Sequence, residues 1–183
     1  MRKISYSFAL LIVLLVIACS NHLSPEKAIQ KLGANPYYEI DGNQVYQKDL
    51  ASYKPTEIAA ITTYYNKDAV NRYGEKAIEG AVIIETKQFA TIKFETFLKK
   101  NSKEYEKMLN ETQIIDIQYI LNDRILTENF EGTLASIDDK LLKEIIIIDQ
   151  KELIEKYQIQ NKKIGVVIKS KAPKNLYNAK KKF

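Results

Sequence analysis

The chain repeats itself. At an offset of 84 residues Leu50-Ala51-Ser52 falls on Leu134-Ala135-Ser136, Ile58 on Leu142, Ile61 on Ile145, and Tyr73 on Tyr157. Val82-Ile83-Ile84 then falls on Val166-Val167-Ile168, and Thr86-Lys87 meets Ser170-Lys171 without a gap. Upstream, Tyr38 matches Tyr119 and Asp41-Gly42 matches Asn122-Asp123 at an offset of 81, because the loop over residues 45–50 is longer in its counterpart, residues 126–134. Loops tolerate such length changes. Ordered agreement through strand, helix, strand, helix and strand implies duplication, and two copies of one supersecondary unit constrain the fold to two similar modules.

Local chemistry sketches the unit. Tyr37-Tyr38-Glu39-Ile40 leads into Asp41-Gly42, which supplies the positive φ values of a tight type I′ turn, and Asn43-Gln44-Val45 returns as the second arm of a hairpin. A helical segment follows from about Asp49, with helix expected around residues 54–59 and a strand over residues 61–65. A short helix then ends near Tyr73-Gly74, where glycine takes the left-handed C′ position. A buried strand over residues 81–85 closes the unit. The second copy predicts strands over residues 119–121 and 165–169 and helix over residues 138–142. Its run Glu144-Ile145-Ile146-Ile147-Ile148-Asp149 lacks polar alternation, which predicts a strand buried on both faces. The expected class is α+β: two tandem modules, each a small mixed β-sheet with two short helices, over residues 35–87 and 116–171.

Residues 88–115 connect them. Ile92, Phe94, Phe97 and Leu98 are apolar at helical spacing, and Ser102 is placed to cap a helix carrying Tyr105, Met108 and Leu109 toward the core. A comparable short helix over residues 24–32, with Ser24 as cap, Pro25 at its first position and Ala28, Ile29 and Leu32 on one face, precedes the first copy. The repeating unit is therefore expected to include a leading helix.

The first copy resembles a known family. The strand ending in Asp41-Gly42, the step at Pro55, Ile58 and Ile61, the Tyr73-Gly74 pair, and Gly80-Ala81-Val82-Ile83-Ile84 running into Thr86-Lys87 are similar to the plug domain of TonB-dependent outer-membrane receptors. Stand-alone versions occur in lipoproteins of the Bacteroidetes type. The resemblance implies an envelope protein. It does not extend to transport, because no TonB-box-like segment is evident upstream and no transmembrane barrel of alternating strands is expected downstream.

The N-terminus agrees with that location. Arg2 and Lys3 precede an apolar run over residues 8–17, shorter than the ~20 residues of a spanning helix, as in a secretory signal over residues 1–18. Val16-Ile17-Ala18-Cys19 resembles a bacterial lipobox, which makes Cys19, the sole cysteine, a lipid-modified N-terminus, with residues 19–34 as tether and short helix. Ser20 follows Cys19 with no acidic cluster behind it, so the expected destination is the outer membrane, facing the periplasm.

The chain holds 28 Lys and Arg against 23 Asp and Glu. The excess sits in the signal and in the tail, residues 172–183, so a basic face for nucleic acid is not expected. The lysine-rich tail suits at most a weak contact with anionic surfaces. His22 stands alone in the tether. There is no Ser-His-Asp or Cys-His set, no phosphate-binding loop and no metal spacing, so neither a cofactor nor a metal is expected.

The expectation is therefore a non-enzymatic lipoprotein that binds or scaffolds an envelope protein partner. Alternatives are an accessory or sensor component of a TonB-dependent uptake system and a small envelope enzyme. Tyrosines concentrate in the first copy, and neighbours in a strand point to opposite faces. Outward members of Tyr37, Tyr38, Tyr64 and Tyr65 are therefore the expected partner-binding residues, with Asp41, Gly42, Tyr73 and Gly74 as structural turns.

Overall fold

The computed structural model describes residues 27, 28, 30–174, 182 and 183. Cys19, the signal, the tether, the cap at Ser24 and Pro25, Ile29 and most of the tail lie outside the described residues.

In the first module β1 (Tyr37–Ile40) turns at Asp41-Gly42, with φ of 51° and 81°, into β2 (Asn43–Val45). After two 3-10 turns come β3 (Ile58–Tyr64), α1 (Asn66–Tyr73) and β4 (Ala81–Thr86). Gly74 ends α1 at φ 76° and ψ −170°, outside the left-handed helical region expected for it and in one open to glycine almost alone, because the chain turns straight into the next 3-10 turn. Strand order is β2-β1-β4-β3, with β4 parallel to β1 and antiparallel to β3.

Two helices follow: α2 (Lys87–Asn101), capped by the Thr86 hydroxyl, and α3 (Lys103–Glu111), capped by Ser102 as expected. The second module consists of β5 (Ile117–Leu121), β6 (Arg124–Ile125), α4 (Glu131–Ala135), β7 (Leu142–Asp149), α5 (Gln150–Tyr157) and β8 (Ile164–Ser170). Its order, β6-β5-β8-β7, reproduces the first. The protein is thus α+β with two four-stranded mixed sheets.

The ladders align the copies residue by residue. Tyr38 faces Val82 in one sheet and Tyr119 faces Val166 in the other, so both sequence offsets meet in a single strand pair. Ile61 faces Ile84 as Ile145 faces Ile168, and both edge strands bulge at the same place, between Ile58 and Ala60 and between Leu142 and Glu144. The hairpin turn is preserved although its residues changed: Asn122 and Asp123 also take positive φ, 48° and 66°. Asp41 accepts the Thr86 N–H and hydroxyl, each at 2.7 Å. Asn122 instead accepts the Ser170 N–H and donates to the Ser170 carbonyl, each at 3.0 Å. The swap from carboxylate to amide has a local cause. Thr86 begins a helix and offers only donors there, whereas Ser170 leads into extended chain and its carbonyl needs one.

Two expectations are corrected. Residues 54–59 do not form a helix: Pro55–Glu57 is a 3-10 turn and Ile58 already belongs to β3. Residues 138–142 likewise turn, because the Asp138 carboxylate accepts the N–H groups of Lys140 and Leu141, and Leu142 opens β7. Nor is the isoleucine run buried on both faces. It is the edge strand β7, with Ile146 36% exposed. The strand buried along its whole length is β5.

The connecting helices are core. Ala90, Phe94 and Leu98 from α2 and Tyr105 and Met108 from α3 are buried against Ile117, Tyr119 and Leu121 of β5, Val166 and Ile168 of β8, and Leu134 and Ala135 of α4. Each large side chain of that set contributes about 2 kcal/mol through burial. The opposite face of this sheet closes with Ile120, Ile148 and Val167 against Leu153 of α5. In the first module Leu32 covers Ile40, Val82 and Ile84, the place that α2 and α3 take in the second. The modules meet where α4 lies on β3: a β-carbon on Gly132 would stand 2.3 Å from the Ala59 carbonyl oxygen.

Candidate binding surfaces

The four tyrosines singled out by sequence do not form an outward patch. Tyr37 is buried, its ring stacked on Tyr73 at 5.1 Å, and Tyr64 leans on Tyr73 at 5.7 Å. The Tyr37 hydroxyl donates to Glu39 at 3.0 Å, and burial together with the Glu39 carboxylate pushes this phenol up to about 12. Tyr38, on the other face, is half-buried and packs against the cluster of Ile40, Val82 and Ile84. The Tyr65 hydroxyl donates to the Ala28 carbonyl at 2.7 Å and lies 2.7 Å from the Thr63 hydroxyl.

The cause is the small helical cap of this module. Ala69 and Ala77 leave the sheet face to be filled by tyrosine rings. Two cations finish the stack, Lys76 at 4.4 Å from the Tyr37 ring and the Arg72 guanidinium at 4.6 Å from Tyr64. Strand alternation separates neighbours by face, yet here both faces are covered. The exposed tyrosines of this module are Tyr46 and Tyr53, which precede and follow a 3-10 turn. Asp41 and Gly42 form the turn between β1 and β2, Gly74 ends α1, and Tyr73 closes that helix with its ring packed on Tyr37 and Tyr64.

Sequence reasoning missed a groove of about 490 Å³ in the second module. Ile114, Ile117, Ile125 and Phe130 give it apolar walls, and Gln118, Asn161 and Lys162 give it polar points. Gln118 is buried, its amide nitrogen donating to the carbonyls of Tyr119 and Leu126. Beside the groove Ile114 and Ile115 are 63% and 73% exposed. Lys162 donates to the Ile115 carbonyl at 2.5 Å and Lys163 pairs with Asp116 at 2.7 Å, so the turn carrying both isoleucines is tied to the segment ahead of β8. An apolar trough with a few fixed polar groups suits apolar side chains of a partner. Its only local signal was the Ile114-Ile115 doublet ahead of β5, which reads from sequence as the start of a strand.

A buried polar pair lies under α3. The hydroxyls of Tyr105 and Tyr119 are 2.9 Å apart, and Phe94 meets Tyr119 edge-on at 5.4 Å. Burial pushes the Tyr119 phenol up to about 12 and that of Tyr105 higher still. Burial also raises the Glu95 carboxyl, whose charge acts on both phenols. Among the described residues no three His, Cys, Asp or Glu gather as metal ligands, and no helix is long and apolar enough to cross a membrane.

Compared with known protein families, with curated proteins and with solved structures, the chain gives no match.

Proposed function

We propose that this protein is a non-enzymatic, lipid-anchored module of the cell envelope that binds a protein partner through the groove of its second half. The observation that carries this reading is the pair Ile114 and Ile115, held exposed on a tied turn beside an open apolar trough. Leaving two large aliphatic side chains in water forgoes about 2 kcal/mol each, and rigid exposed apolar groups are favoured anchors in recognition. The site differs from the tyrosine patch that the sequence suggests, because those rings are used inside the first module. The anchor rests on the lipobox resemblance at Cys19, and the outer membrane facing the periplasm rests on the residues that follow it. Helices α2 and α3, packed under β5 and β8, give the binding surface a stiff support.

The test uses the full chain in a bacterial host. Cys19→Ser should leave unprocessed precursor or release the protein from the outer-membrane fraction. With Cys19 intact, Ile114→Asp combined with Ile115→Asp should lower recovery of a cross-linked envelope partner about tenfold, the effect of losing a hot spot of ~1.4 kcal/mol, without lowering the melting temperature. Unchanged fractionation of the Cys19 variant removes the anchor. Unchanged recovery removes the groove.

A further inference from the structure

Strand β7 is the outermost strand of its sheet and runs for eight residues. Its inner side is laddered to β8 from Leu142 to Asp149, so its outer side carries a row of backbone donors and acceptors, a ready template for another strand. The first module does not leave its equivalent edge bare. There α4 lies on β3 at Ala59, the residue inside the bulge. The counterpart of Ala59 in β7 is Lys143, which is exposed. Among the described residues, the backbone of residues 143–148 bonds only to β8.

The sequence of this edge is complementary to itself. In an antiparallel pair, directly opposed residues either both turn their N–H and C=O toward the partner strand or both turn them away. A strand facing its own copy can therefore pair only about a two-fold axis that passes through a residue. An axis at Ile145 sets Lys143 and Glu144 against Ile147 and Ile146, and an axis at Ile147 sets Ile145 against Asp149. Both place charge on isoleucine near the centre. An axis at Ile146 sets Ile146 against itself and Ile145 against Ile147, keeps Glu144 at the rim opposite Ile148, and brings Lys143, inside the bulge, beside Asp149 at the end of the strand. Opposed isoleucines and opposite charges each favour this register. The Asp149 Oδ1 is engaged with the Glu152 N–H as the cap of α5, which leaves Oδ2 for the lysine.

We infer that β7 pairs with β7 of a second copy of this chain across a two-fold axis at Ile146, merging two four-stranded sheets into one of eight strands. The interface is distinct from the groove, so a protein partner and a second copy are held at the same time.

The test uses the intact chain, whose only native thiol is Cys19. Ile146→Cys places two thiols at the axis, where opposed Cα atoms are ~4.5–5.5 Å apart, within reach of a disulfide. Oxidation should link Ile146→Cys into a dimer about tenfold faster than Ile78→Cys, a 67% exposed position of the first module that shares the same Cys19 background. In sedimentation equilibrium of the detergent-solubilised chain, Ile146→Lys should raise the dimer dissociation constant about tenfold while melting is unchanged. Equal cross-linking of the two cysteine variants overturns the inference. So does a wild-type chain that stays monomeric up to ~1 mM, which leaves the edge to a different protein.

Discussion

Gly132→Val is expected to be the most damaging single substitution outside the sheets. A β-carbon at this position would lie 2.3 Å from the Ala59 carbonyl oxygen and 2.8 Å from its carbon, both backbone atoms that cannot rotate away. Either α4 or the bulge of β3 must move, and overpacking of this kind costs about 3 kcal/mol. For a chain of this size that lowers the melting temperature by roughly 10 °C. Gly42→Ala is the comparison. Gly42 has φ of 81° with open space around it, so only backbone strain of about 1 kcal/mol is lost there. Urea unfolding of the two variants separates a contact between modules from a turn within one. Equal stabilities would mean that α4 does not bear on β3.

The second large effect depends on pH. Tyrosine in an unfolded chain titrates near 10, whereas burial holds the Tyr119 phenol up to about 12 and Tyr105 higher. Between pH 10 and 12 the unfolded chain releases protons that the folded chain retains, so the native state binds more. Stability is complete below pH 10 and falls as the pH climbs toward 12, by ~1.4 kcal/mol per unit for each such tyrosine. Tyr119 alone accounts for about 3 kcal/mol by pH 12. Tyr119→Phe removes that slope but leaves the Tyr105 hydroxyl buried without its partner, costing about 1–3 kcal/mol at neutral pH. The double variant Tyr105→Phe and Tyr119→Phe should be close to wild type at pH 7 and steadier than wild type above pH 10. Lysine titration and the raised Tyr37 phenol are common to all three chains, so the measurement is the difference in urea midpoint between pH 8 and pH 11.5. A double variant that loses stability in parallel with wild type would show that these phenols are not the groups responsible.

Much of the architecture is legible in the sequence. The Asp41-Gly42 turn and the Ser102 cap rest on interactions within a few residues, β4 and β8 are marked by their apolar runs, and the ladders carry the repeat at both offsets. What could not be read depends on neighbours distant in sequence. Pro55 and Asp138 signal the start of a helical turn but not its length, and the ladder partners of Ile58 and Leu142, Thr86 and Ser170, convert the next residues to strand. An isoleucine run states how apolar a strand is. It does not state whether the strand lies in the middle of the sheet or at its rim, and β7 lies at the rim. The inward turn of the tyrosines is hidden for a similar reason, since alternation cannot reveal that α1 is too slight to fill its side of the sheet. The groove draws on three separate segments, around residues 114–119, 125–130 and 159–162, and no local pattern announces their meeting.

Helix α2 begins on the hydroxyl of Thr86, the last residue of the first sheet, yet Ala90, Phe94 and Leu98 complete the interior of the second. What was copied as a unit therefore no longer stands as one. A genetic rearrangement that carried away the second copy along its own repeat boundary would leave its roof behind. The two halves are bound to be inherited together, and drift in the residues of α2 is answerable to a partner that lies on the far side of the duplication.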